Sequence, residues 1–217
     1  MNEVIVLFDG YSKKLDQNRM DANCTSTIIK GPKFIIVDTM TAWDREKIVE
    51  ALAQEGIKPA DIDYVVCTHS HADHIGNNNL FTNAEHIVGA QVQQRTIFYE
   101  NKFENGEYHI SNGVKVIATP GHTAEDVTVL VKTEINDKSV TYGITGDLFE
   151  KEEDIVNPTI WKDLGLPELR HIQAKNRSYV INAVDFIIPG HGPKFAITNS
   201  ARRLVQDELE KNTQHDH

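Results

Sequence analysis

Cysteine is nearly absent. Two thiols, Cys24 and Cys67, in a chain of 217 residues cannot build a disulfide framework, and both read as small buried apolar side chains. Positive charge is also scarce. With 22 Lys and Arg against 32 Asp and Glu, the formal charge is −10, so the chain lacks the basic face on which proteins commonly attract nucleic acid over long range. Only a local basic pocket would serve an anionic substrate. Long apolar runs are missing as well: Val4 to Phe8 and Phe34 to Val37 fall far short of the roughly 20 residues that a bilayer span needs, so no membrane partner is expected. The opening residues carry neither a basic n-region nor a small-residue cleavage site, which points to a cytoplasmic or nuclear location. No Gly/Ser-rich tract, Pro-rich tract or internal repeat divides the chain. A single domain over residues 1–211 is therefore expected, followed by a polar tail, 212–217, in which His215 and His217 read as solvated.

What is there alternates between strand and helix signals. Val4 to Phe8, Thr25 to Ile29 and Lys33 to Asp38 are β-branched runs, the last two joined by a turn at Gly31-Pro32. Asp44 to Glu55 places Ile48, Ala51 and Leu52 at helical spacing, with Gly56 as its stop. Ile62 to Cys67, Ala84 to Val88, Gly106 to Ile110, Val114 to Ala118, Val127 to Lys132 and Ser139 to Ile144 read as further strands, and Leu204 to Lys211 as a closing helix. Strands in two batches, each with helices, predict an α/β sandwich of sheets covered by helices.

Histidine is plentiful and clustered. In CTHSHADHIGN, from Cys67 to Asn77, His69, His71, Asp73 and His74 follow directly on a strand whose other residues are apolar. Desolvating so many ionisable groups is costly unless something compensates them. Alternation along an extended segment sends His69 and His71 to one side, so both imidazoles can converge on one metal. A turn after the small Ala72 would bring Asp73 and His74 to a second. Three later strand ends supply the rest: Pro120-Gly121-His122, Gly146-Asp147 and Pro189-Gly190-His191. Asp147 is suited to bridge two cations. Five histidines and two aspartates form a nitrogen and oxygen set for two divalent metal ions, zinc first and iron or manganese next. By contrast His86, His109 and His171 read as ordinary surface or core histidines.

THSHADH, PGHT, GD and PGHG, in this order, resemble the metallo-β-lactamase superfamily over nearly the whole chain. The resemblance implies a four-layer αββα sandwich with a dinuclear metal site at the sheet edges. DGYS, VDT, ATPGHT, GDLFE and PGHGPKF extend the likeness to a compact homodimeric branch that cuts histone pre-mRNA at its 3′ end, which implies an endoribonuclease with an RNA substrate. Asp147 stands where true β-lactamases carry Cys or no acid, so penicillin hydrolysis is not expected. His71 stands where the redox flavodiiron branch has Glu. Only residues 192–217 follow the last histidine, where glyoxalase II has a helical substrate domain, and residues 148–190 leave no room for the inserted domain of the large RNA-processing members. Alternatives are a thioester or lactone hydrolase, a one-iron persulfide dioxygenase, or a silent binding protein that keeps the fold. Asp73 is the candidate to orient water or move its proton. Lys194 is a candidate to meet a substrate anion and Trp161 to stack on a base, within a pocket-shaping segment from Glu150 to Arg177. The acidic run Glu150 to Asp154 reads as a solvated face.

Overall fold

The computed structural model describes residues 1–214. The strands are β1 (Glu3–Phe8), a hairpin of β2 (Tyr11–Lys14) and β3 (Met20–Asn23), β4 (Ser26–Lys30) and β5 (Ile35–Val37). Helix α1 (Arg45–Gln54), β6 (Tyr64–Cys67) and the single turn α2 (Ala72–Ile75) come next, then β7 (Glu85–Val88), β8 (Gln91–Gln94) and β9 (Ile97–Tyr99). A second set comprises β10 (Glu107–Ser111), β11 (Val114–Ala118), β12 (Val127–Ile135), β13 (Lys138–Gly146), α3 (Thr159–Leu164), α4 (Arg170–Ala183), β14 (Phe186–Pro189), β15 (Phe195–Ala196) and α5 (Asn199–Gln214). Helix α5 begins five residues before the expected Leu204 and runs past residue 211. His215 and His217 lie outside the described residues.

One sheet has the order β1-β4-β5-β6-β7-β8-β9 and the other β10-β11-β12-β13-β14-β15. Strand alternation explains the four layers. Ile29, Ile35, Val37 and Val66 pack between the sheets against Val116, Val129, Ile144 and Ile188. Their neighbours Ile28, Ile36, Val65 and Cys67 face the other way, onto Ile48 and Leu52 of α1. On the far side, Leu130, Ile187 and Phe149 meet Val180 and Ile181 of α4 and Val205 of α5. Helix, sheet, sheet, helix is the expected αββα sandwich. Both cysteines are buried and free. No helix among the described residues is long and apolar enough to cross a membrane.

Parallel pairing gathers the polar strand ends. β5, β6 and β7 run parallel in one sheet, β13 and β14 in the other. Strands in register end together, so Asp38, Thr68, Asp147 and Gly190 emerge at one rim of the sandwich, where α/β folds form their crevices.

Helix α4 closes that rim from behind, and the acidic run at Glu150 to Asp154 corrects the expectation of a solvated face. Glu150 and Asp154 are each 1% exposed; Glu152 and Glu153 alone face solvent. Asp154 meets Arg177 of α4 through two contacts, 2.6 and 3.0 Å, and Arg177 also donates to the Leu148 carbonyl at 2.8 Å. Its guanidinium lies over the rings of Phe149, at 4.0 Å, and Trp161, at 5.1 Å. A buried pair of this kind is strongly destabilising to break from one side, because the remaining charge is left desolvated. Arg177→Ala is therefore expected to lower unfolding free energy by about 3–5 kcal/mol, read from urea denaturation; a loss under about 1 kcal/mol would mean that the pair does not hold the rim.

Candidate metal centre

The centre is assembled from four loops at the rim, those after β6, β11, β13 and β14. β6 ends at Cys67, and His69 follows on extended chain with His71 as the residue before α2. The turn of α2 then carries Asp73 and His74 back under them. Gly76 makes this possible, since a Cβ there would overlap the backbone from Met40 to Ala42. Gly146, at φ +50°, lets β13 bend so that Asp147 points inward, and a side chain at Gly146 would strike Thr68. Helix α4 braces the loops of His122 and Asp147: Asn176 donates to the Pro120 carbonyl at 2.6 Å and Gln173 to the Asp147 carbonyl at 3.4 Å.

All seven residues expected from the sequence converge. His71 Nδ1 lies 2.8 Å from His69 Nε2 and 3.1 Å from His122 Nε2, and Asp147 Oδ2 is 3.7 and 3.4 Å from the same two Nε2 atoms. Beside this group, Asp73 Oδ2 is 3.8 Å from both His74 Nε2 and His191 Nε2. Asp147 reaches this second group too, with Oδ1 3.3 Å from His74 and Oδ2 3.2 Å from His191. Each group places its donor atoms within 4.8 Å of one another. His69 and His74 are fully buried, while His71 is exposed and Asp73 half-buried, so the centre opens to solvent on their side.

The donors fit cations and not one another. His74 Nε2 and Asp147 Oδ1 are buried without a hydrogen-bond partner. Packed nitrogen lone pairs and an unshared carboxylate oxygen are costly in a protein interior unless a cation joins them. The outer ring nitrogens are held from behind: His69 Nδ1 by Thr68 Oγ at 3.2 Å, His74 Nδ1 by Asp38 at 3.0 Å, His191 Nδ1 by the carbonyls of Tyr11 and Asn23 at 3.2 and 3.0 Å. Carbonyls only accept, so His191 Nδ1 carries the proton and leaves Nε2 as a donor to the centre.

Charge follows from this packing. Burial and the neighbouring His74 push His69 well below its ordinary pKa, and burial lowers His122. Burial would also depress His74, but Asp38 and Asp147 outweigh it and raise that ring well above its ordinary value. His191, likewise buried, is lifted to about 9 by Asp147. Burial would raise Asp147, but His191, His74 and His69 outweigh it and hold that carboxyl well below the carboxylate range. Glu150 is pushed well up by burial and by Asp147.

Asp38 and Glu150 are buried acids facing donor histidines that sequence reasoning did not assign. Asp38 sits at φ +58°, a conformation rare for a residue with a side chain, and accepts from the Thr68 amide at 2.8 Å as well as facing His74. Its signal was VDT, an acid directly after a fully buried strand. Glu150 closes GDLFE, where burial of the preceding Leu148 and Phe149 was the available hint.

Two expected substrate residues fall away. Trp161 is 1% exposed and lies in the wall behind the centre, packed on Arg177, so it cannot stack on a base. Lys194 is exposed but turns its ammonium onto the rings of Tyr142 and Phe186, 5.3 and 5.9 Å away, and not towards the C-terminal ends of β13 and β14 that lead to Asp147 and His191. The segment from Glu150 to Arg177 accordingly acts as backing for the loops. His86 pairs with the Phe81 carbonyl at 3.0 Å, and His109 is exposed beside Glu107.

Comparison with known proteins agrees with this geometry. The chain belongs to the metallo-β-lactamase superfamily, whose model matches residues 20–208. It is similar to metallo-β-lactamase domain-containing protein 1 of Xenopus laevis, 36% identical over 215 residues that cover 97% of this chain and 88% of the relative. A shorter stretch of 111 residues, 46% of this chain and 44% of the relative, is 32% identical to an N-acyl homoserine lactonase of Bacillus cereus. Among solved structures, a metallo-β-lactamase of Thermotoga maritima superimposes with a TM-score of 0.63 at 22% identity, covering 90% of this chain and 99% of that one. The chain is thus a metallo-hydrolase of this superfamily, and the fold implies divalent metal binding.

The raised pKa values fix how metal uptake depends on pH. Below about 9, His191 holds a proton on the nitrogen that must face the cation, and the raised His74 acts in the same direction, so a cation has to displace protons. Apparent affinity should therefore rise from pH 6 to 9, by about tenfold per pH unit for each proton displaced. Chelator competition, corrected for the chelator's own protonation, measures it, and a flat profile would contradict the assignment of these two rings.

Proposed function

We propose that this protein is a two-cation hydrolase that cleaves phosphodiester bonds in single-stranded RNA. His69, His71 and His122 would hold one divalent ion, Asp73, His74 and His191 the other, and Asp147 would reach both; zinc is the first expectation on donor chemistry. When bound, such a pair supplies Lewis acidity and an ionised water near neutral pH. The chain's own part is positional. Asp147 keeps the two donor groups in one frame, the carbonyls of Tyr11 and Asn23 set the proton on His191 Nδ1, and Asp73, half-buried on the open side of the centre, is placed to orient a water arriving from solvent.

The observation that carries the RNA reading is an exposed aromatic rim beside the second group. Trp43 is 89% exposed and Tyr11 is 48% exposed. Tyr11 adjoins His191 through its carbonyl, and Asp44, next to Trp43, accepts from Asn23 at 2.8 Å, whose own carbonyl meets His191. Lys13 lies two residues along the same strand as Tyr11, on the same face, and is exposed. Aromatic faces with a local cation suit a single strand, and such stacking contributes ~1–3 kcal/mol per base. These residues take the place that Trp161 and Lys194 cannot fill.

A second reading is a lactone or thioester hydrolase. It draws on the local similarity to a lactonase and on exposed Leu15 and Met20 at the turn end of the hairpin that carries Tyr11, which would equally hold an acyl chain. One experiment separates them: zinc-loaded wild type, Asp147→Asn and Trp43→Ala, purified identically, are given a labelled single-stranded RNA, an acyl homoserine lactone and a glutathione thioester. The wild type should cut RNA, Asp147→Asn should not, and Trp43→Ala should raise KM roughly 5- to 150-fold, the factor that ~1–3 kcal/mol represents. Turnover of the lactone or thioester without RNA cleavage would establish the second reading. Equal RNA cleavage by wild type and Asp147→Asn would assign the activity to a contaminant.

A further inference from the structure

We propose that Glu150 is a positioning residue for His122, accepting the proton on its Nδ1 and so directing Nε2 at the first donor group. The proposal rests on the two-cation reading but not on the identity of the substrate. Three buried histidines of the centre have an outer nitrogen with an ordinary partner: a threonine hydroxyl for His69, Asp38 for His74 and two carbonyls for His191. His122 differs. Its Nδ1 lies 3.6 Å from Glu150 Oε1, and both atoms are buried with no hydrogen-bond partner of their own.

A carboxyl group 1% exposed, facing one unpartnered ring nitrogen, is a costly arrangement for mere packing. The backbone shows that its place is held from several sides. The Glu150 amide donates to Asp154 at 2.8 Å, and Asp154 is clamped by Arg177. The Glu150 carbonyl accepts from the His191 amide at 2.8 Å. One residue thus serves both donor groups: its carboxyl faces His122 Nδ1 and lies within 4.8 Å of ligand atoms of Asp147 and His191, and its carbonyl accepts from the His191 amide. Only the side-chain contact can be removed by substitution. Carboxylates behind donor histidines orient the ring and raise its basicity, and their loss commonly costs 10- to 100-fold in metal affinity.

A side chain that merely filled space would be replaced by leucine, an apolar group of similar size, without consequence for metal. The test is therefore cobalt(II) titration of the metal-free wild type, Glu150→Gln and Glu150→Leu, followed by visible absorption, with urea midpoints of the metal-free proteins alongside. Two binding steps are expected in the wild type. In both variants one step should weaken about 10- to 100-fold with an altered spectrum, more in Leu than in Gln, while the other step changes far less. Should the Leu variant fail to fold, the Gln variant decides alone. Wild-type affinity at both steps in Glu150→Gln, or equal weakening of both steps in either variant, would overturn the positioning role. A wild type that takes up fewer than two cobalt ions would contradict the two-cation reading itself, and the role of Glu150 with it.

Discussion

Asp147 sits where two sets of imidazoles meet, and its carboxylate is the group that makes their burial tolerable. His69, His74, His122 and His191 all approach it within 3.7 Å. Without negative charge among them, four packed rings would repel any proton that one of them carried, and with it two of them are raised towards the protonated state. Yet one carboxylate cannot satisfy five imidazoles. Its Oδ1 stays unpartnered, as does His74 Nε2, and the balance closes only when cations take the space between them.

The fold exists, in this sense, to bring the donor loops to one rim and keep them there. Parallel pairing aligns the ends of β5 with β6 and of β13 with β14, which sets Asp38, His69, Asp147 and His191 on one edge. Helix α4 then ties the loops of His122 and Asp147 from behind through Asn176, Gln173 and Arg177. Most of the rigidity is thus supplied by residues that touch no donor atom. The front is built differently: the hairpin of β2 and β3 and the loop bearing Trp43 leave large aromatic and aliphatic side chains in solvent, which is where substrate selection has room to act.

The donors were legible before any coordinates because metal ligation demands particular residue types at strand ends, and no packing role explains His69, His71, Asp73 and His74 side by side. The αββα layers were legible for a similar reason, since Ile35, Ile36 and Val37 alternate between two buried faces. Polar stretches misled in both directions. Glu150 and Asp154 look solvated in a run of acids, but their burial depends on Arg177, more than twenty positions away on a helix whose apolar stripe is interrupted by Gln173 and by Arg177 itself. Trp161 looks available for stacking for the same reason: the guanidinium that covers it comes from that helix. The hairpin of β2 and β3 carries almost no apolar alternation, so its strands gave little signal. Charge burial is decided by partners distant in sequence, and periodicity does not reveal them.

The central claim is that the seven donors hold two cations in adjacent groups joined by Asp147. Anomalous diffraction from crystals grown with zinc tests it most directly. Two peaks are expected, one bounded by His69, His71 and His122 and the other by Asp73, His74 and His191, with Asp147 contacting both. A single peak, no peak, or zinc held away from Asp147 would contradict the account.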